Sequence, residues 1–470
     1  MKEEIINYLS KMHDAQTLIQ INDALNLHSA IELKDLQKTL DALIEENKVY
    51  KTKKEKYLLL ENCEYLKCGK LSINKAGNGF LLLDGDDLYI DYKNLNDAVN
   101  GDEVLAELIK YKGKTEGRVI KILKRNTKNI IGEYSIRKNK PILILDDEKC
   151  KLLIDLDPNT TKDCVLGTKV LVNLEKELAP NHYIGKVVKI IGHKDDPGVD
   201  IKTIAYKYGI FEEFSKESDK QTEELPIMVE EKELAGRKDL TNEVIFTIDG
   251  DDTKDIDDAV SISAENNLYT LGVHIADVSH YVTKDSPLDK DAFTRGTSSY
   301  LAYSVIPMLP HKLSNGICSL NEGVVRLTIS CVMQINAKGD VVNYDIFPSY
   351  IKSCKKMTYK KVNDILMRDT YDEEYAPYVS RLKLMNELAH ILRKNKERRG
   401  YIDFSIEEPK IICDKNGKCI DVVTYDREDG EKLIEDFMIA ANETVASHLY
   451  NMDLPSIYRV HGTPKAEKIY

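Results

Sequence analysis

The chain has no C-x-x-C pair, no apolar run long enough to span a bilayer and no surplus of positive charge, and each absence removes a class of function. Nine scattered cysteines (Cys63, Cys68, Cys150, Cys164, Cys318, Cys331, Cys354, Cys413, Cys419), an odd total in 470 residues, read as a reducing cytosol rather than a disulfide framework. The opening Met1-Lys2-Glu3-Glu4 places acids where a secretory signal needs basic residues, so the expectation is a cytoplasmic protein without a membrane partner. A net charge of −12 argues on its face against nucleic acid, which normally meets a basic surface. The average hides local asymmetry, however. Lys110, Lys112, Lys114, Lys121, Lys124, Arg125 and Lys128 form basic stretches, whereas Glu212, Glu213, Asp219, Glu223 and Glu224 are acidic, so a basic groove is compatible with the total.

What is present in abundance is aspartate, crowded into one stretch: Asp249, Asp251, Asp252, Asp255, Asp257 and Asp258. Two carboxylates about 4 Å apart repel by roughly 4 kcal/mol at an effective dielectric near 20. Several held together by a fold therefore need a cation, a proton or water between them. A surface turn would let them splay into solvent. Here, however, Val244–Ile248 reads as a buried strand leading in and Ala259–Ile262 as a strand leading out, which favours metal. An EF-hand counted from Asp249 would need Gly at position six and Glu at position twelve, but Lys254 and Val260 stand there. Magnesium-type chemistry, in which a few carboxylates share the ion with water or phosphate, remains open, and manganese suits the same oxygens. In an extended chain Asp255 and Asp257 share one face and Asp258 takes the other, so a common site requires an irregular backbone, with Gly250 as the expected pivot.

The length calls for several domains. Helical patterns at Glu3–Lys11, Gln16–Ala24 and Ile31–Glu46, the last with Leu33, Leu36, Leu40, Leu43 and Ile44 in phase, precede two short β-prone runs, which predicts an α+β winged helix over residues 1–62. Short strands with turns then predict two small oligonucleotide-binding β-barrels, over 63–127 and 128–195. Phe80 and Tyr89 of the first would either stack on bases or fill its core. A charged, helical connector is expected from Ile201 to Glu224 within the linker 196–241, before an α+β unit over 242–470.

Asp249, Asp255, Asp257 and Asp258, followed by Leu271–Val282, Arg295-Gly-Thr-Ser-Ser-Tyr300-Leu301, Ile306–Pro310 and Leu313–Leu320, closely resemble the catalytic (RNB) domain of the ribonuclease II superfamily. The preceding winged helix and paired cold-shock-type barrels resemble its ribonuclease R branch. The resemblance implies a processive, monomeric 3′→5′ exoribonuclease that threads single-stranded RNA and releases nucleoside 5′-monophosphates, using two Mg²⁺ ions. By position, Asp249, Asp255 and Asp258 match the metal-site acids, and Asp257 matches the acid whose loss stops hydrolysis. Tyr300 and Phe404 match two aromatics that clamp the last bases, and Glu435 matches an acid near the terminal ribose.

Each assignment has a plainer counterpart. Tyr300 and Phe404 lie in apolar contexts that suit core packing, and Glu435, Asn442 and Glu443 form one polar stripe on a helix expected from Lys432 to Leu449, as a solvated face would. His274, Asp277 and His280 have zinc-ligand chemistry but are read as structural. The family's catalytic domain continues to an arginine-bearing segment, and its ribonuclease R branch to a further RNA-binding barrel, which these 470 residues do not contain. The catalytic domain is therefore expected to be incomplete, and the chain to bind RNA but cleave it slowly. The rival expectation is an RNA-binding or chaperone protein whose catalytic domain does no chemistry.

Overall fold

The computed structural model describes all residues except 13, 47, 53, 64, 75, 84, 97, 112, 126–129, 147–151, 180, 402–407, 415–416, 426, 461 and 463–470. It divides into two compact units, Met1–Gly209 and Ile210–Tyr470.

The first unit begins with helices Lys2–Ser10, Leu18–Ala24 and Ala30–Glu45 and a three-stranded sheet of Gln16–Thr17, Lys56–Leu59 and Val49–Lys51. Capping boxes set two helix starts: Thr17 with Gln20, and Ser29 with Glu32. The second helix therefore starts two residues later than its pattern suggests, because Thr17 is its cap and Gln16 pairs with Tyr57. Leu36, Leu40 and Leu43 join Ile5, Leu9 and Ile21 in the core, while Leu33, in phase by sequence, lies exposed.

Next comes a five-stranded antiparallel sheet ordered Leu88–Ile90, Gly79–Leu82, Leu66–Ile73, Glu103–Tyr111, Lys114–Lys124. Phe80 and Tyr89 face each other across adjacent strands, ring centroids 5.6 Å apart and edge to face. Their chain neighbours Leu81, Leu88 and Ile90 are buried, so alternation puts the aromatic pair on the outer face and the core reading fails. Five further strands between Ile130 and His193 close into a barrel.

The connector is not one helix. It breaks into Val199–Lys207 and Lys216–Glu224. Gly209 takes a left-handed φ of 74° and Ser215 caps the second helix through its side chain, so helix geometry cannot run through. The first piece packs on the closed barrel, where Lys189 Nζ lies 4.7 Å from the Tyr206 ring centre, and the division between the two units falls after Gly209, within the expected linker 196–241.

The second unit is built on a seven-stranded mixed sheet. Its order is Lys238–Asp239, Val341–Lys352, Val325–Asn336, Leu268–Ala276, Asp258–Glu265, Phe246–Asp249, Lys355–Thr358. Alternation sends Phe246, Ile248, Val260 and Ile262 to one face, under helices Tyr359–Arg368, Val379–Arg398 and Asp429–Asn451. Ile245, Ala259 and Ala276 go to the other face, where Leu288, Leu313, Ile317 and Leu320 pack. At roughly 25 cal/mol per Å², a fully buried aliphatic or aromatic side chain contributes about 1.5–3 kcal/mol. Two such layers make the sheet a rigid base for what projects from its edge. Thr247 and Asp249 share the face opposite the three helices.

Candidate functional site

Asp249 ends one strand and Asp258 opens its antiparallel neighbour, paired at Phe246 and Val260. Between them the chain leaves regular structure, as common access to one site requires. The chain does turn at Gly250, though without a left-handed conformation, because its φ is not positive. A turn closed by Thr253 N–H donating to Gly250 O at 3.2 Å does the bending.

The loop is then stitched to its surroundings. Fully buried Ser319 donates from Oγ to Lys254 O at 2.8 Å and accepts from Ile256 N–H at 3.1 Å, bracketing Asp255. Leu320 N–H donates to Ile256 O and Ala276 N–H to Asp257 O, each at 2.9 Å, and Ile256 itself is fully buried. Lys356 Nζ donates to Thr253 O at 2.5 Å. Its strand runs parallel to Phe246–Asp249 with Lys356 beside Thr247 and Thr358 beside Asp249, which puts the ammonium on the Asp249 face.

The electrostatics follow. Burial, then the charge of Asp258, pushes Asp249 up to about 7, with Lys356 pulling the other way. Burial and Asp257 push Asp258 to about 6, and burial and Asp255 raise Asp257. Asp249 Oδ2 is buried with no hydrogen-bond partner, and so is Thr247 Oγ1 on the same face. An unpaired buried carboxylate oxygen is costly. Among the described residues no three His, Cys, Asp or Glu side chains close into a ready-made metal cage. The donor set thus fits a hard divalent cation held by few carboxylates, with water or phosphate completing its shell, and does not fit an all-protein cage.

Tyr300 lies on a two-stranded ribbon, Ser299–Tyr300 against Val305–Ile306, and is 72 % exposed. Core packing is therefore the wrong reading for it. Partial desolvation, then the charges of Asp255 and Asp257, raises its pKa, so this open ring lies within electrostatic reach of the acid loop. Phe404 lies outside the described residues. Glu435 sits on helix Asp429–Asn451, paired with Arg427 at 2.9 Å and Lys396 at 3.8 Å rather than with the acid loop. Its chain neighbour Asp436 is buried and held by Arg393 at 2.8 Å and Lys396 at 3.0 Å. A groove of about 380 Å³ lined by Leu392, Asn395, Lys396, Arg399, Asp436 and Glu443 shares no residue with the loop.

Sequence reasoning passed over Ser319 and Lys356. Ser319 falls within Leu313–Leu320, already singled out as a motif but without a role. Lys356 carried a weaker signal, a charge within the strand Lys355–Thr358. His274 is not a zinc ligand in waiting: its ring nitrogens meet Ser261 Oγ at 3.1 Å and Ser330 Oγ at 2.7 Å. Asp277 pairs with Arg237 at 2.5 Å and His280 with Glu233 at 2.8 Å.

Comparison with known proteins matches this architecture. Residues 69–122 match the ribonuclease B OB domain, 142–215 the cold shock domain and 237–470 the RNB domain. Ribonuclease R of Thermotoga maritima is 40 % identical over 445 residues, 93 % of this chain and 62 % of its own length. Ribonuclease R 1 of Lactococcus lactis is also 40 % identical, over all of this chain and 60 % of its own. The apo form of Mycoplasma genitalium RNase R superposes with a TM-score of 0.79 at 28 % identity, covering 86 % of this chain and 65 % of that one. Its complex with ribose methylated single-stranded RNA gives 0.78 at 29 % identity, with the same coverage. The chain thus spans about three fifths of the length of the curated relatives it matches. With OB-type, cold shock and RNB domains in that order and ribonuclease R relatives along its whole length, the chain belongs to the ribonuclease R family of RNB-domain proteins.

Proposed function

We propose that this chain carries the RNA-holding and hydrolytic parts of a 3′→5′ exoribonuclease that degrades single-stranded RNA to nucleoside 5′-monophosphates. The observation that carries the reading is the unpartnered, buried Oδ2 of Asp249, whose pKa the charges of Asp258, Asp257 and Asp255 raise, with an exposed aromatic ring within electrostatic reach of the same loop. In this reading Asp249, Asp255 and Asp258 hold Mg²⁺, Asp257 orients the attacking water, and Tyr300, with Phe404, stacks on the last bases. The ions, when bound, supply an activated water and offset charge at the departing oxygen. Water adds to phosphorus, the bond to the upstream 3′ oxygen breaks, and that oxygen leaves with a proton as a new 3′ hydroxyl.

Glu435 faces the terminal ribose here, with Arg427 and Lys396 holding its carboxylate until a hydroxyl competes for it. The first three helices serve as a winged helix, and the two OB-type domains bind single-stranded RNA, Phe80 and Tyr89 offering a stacking edge. RNA bound to the M. genitalium relative supports this assignment. A reducing, cytoplasmic setting fits the scattered cysteines, and in this reading the chain acts as a monomer. The test is an RNA labelled at its 3′ nucleotide, incubated with protein and Mg²⁺. Labelled mononucleotide as the first product supports the reading. A ladder of internal fragments, or RNA bound but uncut in a chain extended to its relatives' length, refutes it.

A further inference from the structure

Arg295 is half-buried at the carboxy-terminal end of helix Pro287–Arg295, five residues before Tyr300, and its guanidinium is used up on backbone. Nη1 donates to Phe211 O at 2.8 Å and to Pro307 O at 3.3 Å, and Nη2 donates to Glu213 O at 2.6 Å. The guanidinium carbon lies 3.8 Å from the centre of the Phe214 ring. One helical turn earlier, Asp291 accepts from Ser215 N–H at 2.8 Å. Beyond Arg295 the helix ends at Gly296, in a left-handed conformation with φ 72°, and the chain turns out into the ribbon that bears Tyr300. The ribbon's return arm is fastened by Met308 N–H donating to Ser298 Oγ at 3.0 Å and by the Pro307 carbonyl on Arg295.

We infer that Arg295 is a positioning residue for Tyr300: its planar fork ties the helix end, the 211–214 strap and the ribbon's return arm together, and so fixes where the exposed ring stands. The strap and the return arm are distant in sequence, and this side chain donates to both. The ribbon has only two residue pairs, too few to hold a fixed direction by its own hydrogen bonds. Lysine cannot replace the clamp. Its single nitrogen has no planar fork to span separated carbonyls while lying flat on an aromatic ring. The RNA consequence rests on the proposed stacking role of Tyr300; the positional claim does not.

The absence of tryptophan from the chain separates the two. Tyr300→Trp creates a protein with one indole, whose fluorescence anisotropy reports the ribbon's motion directly. Adding Arg295→Ala should lower that anisotropy and make the indole several-fold more accessible to a soluble quencher, with Arg295→Lys in between. Unchanged anisotropy and quenching overturn the inference, whatever happens to RNA. In the native-tyrosine background, Arg295→Ala should shift the length of the final undegraded oligonucleotide in the same direction as Tyr300→Ala, and the double variant should match Tyr300→Ala alone. Effects that add in full contradict the positioning role. A mobile indole with an unchanged end product would sustain the positioning role and sink the stacking role instead.

Discussion

Two polar clusters share the central sheet of the second unit, and only one of them is left wanting. On strand Leu268–Ala276, fully buried His274 bonds Ser261 and Ser330, and Ser330 bonds Ser349, which bonds Thr328, through contacts of 2.6–3.1 Å. Burial lowers the imidazole to about 4, so the ring is neutral and both its nitrogens are in use. At the end of strand Phe246–Asp249, Asp249 is also largely out of water, but one of its oxygens has no partner and its neighbours repel it. A satisfied network rigidifies a fold, whereas an unsatisfied, like-charged one is stable only as a place for something else.

The contrast can be broken from either side. The largest expected effect is on chemistry: Asp257→Asn should slow hydrolysis by at least about 10³, since it takes one carboxylate from a site expected to supply several kcal/mol of transition-state stabilisation. RNA affinity measured in chelator should stay near the parent value. Single-turnover rates and filter binding on one preparation check both, and near-normal turnover would sink the role given to Asp257. His274→Ala should do the reverse. It should cost about 2–4 kcal/mol in stability by opening a cavity and leaving buried hydroxyls unpaired, with the rate per folded molecule unchanged. Denaturant unfolding alongside active-site titration would show it, and a catalytic defect without a stability defect would contradict the structural role.

Ser319→Ala sharpens the comparison, because this residue is satisfied like the histidine network yet holds the unsatisfied loop. Leaving Lys254 O and Ile256 N–H unpaired costs about 1–3 kcal/mol. That cost should appear as metal binding weakened by up to about tenfold more than as lost global stability. Thermal melts with and without Mg²⁺ distinguish the two, and an equal fall in both would place Ser319 in the scaffold alone.

Much of this was legible in the sequence, for physical reasons. Strand and helix existence followed from hydrophobic periodicity. The acids stood out because carboxylates crowded at the end of an apolar run repel one another unless a cation, a proton or water comes between them. Boundaries were lost where side-chain caps decide them, as at Thr17 and Ser215. Tyr300 was ambiguous because an apolar neighbourhood in sequence does not say which way a two-residue ribbon faces. Ser319 and Arg295 were missed because a hydroxyl or guanidinium that bonds distant backbone leaves no periodic trace. Glu435 shows the opposite limit: its motif was recognised, but its partners Arg427 and Lys396 come from separate segments.

Uptake of a divalent cation by the acid loop is the central claim, and calorimetric titration with Mn²⁺ at two pH values tests it most directly. Asp249 and Asp258 sit at about 7 and 6 against an ordinary 3.8, so the folded state holds their protons more tightly than the unfolded chain does. Without metal their contribution to stability is fullest at low pH and falls as pH rises through 7. His274, lowered from 6.5 to about 4, has the opposite sign: its contribution is complete above 6.5 and is lost as pH falls toward 4. Metal must displace the carboxyl protons. Binding should therefore be about tenfold or more tighter at pH 8 than at pH 6, release protons at the lower pH, and vanish in Asp249→Asn while surviving in His274→Ala. No binding heat at pH 8, or an isotherm that Asp249→Asn leaves unchanged, would contradict the claim.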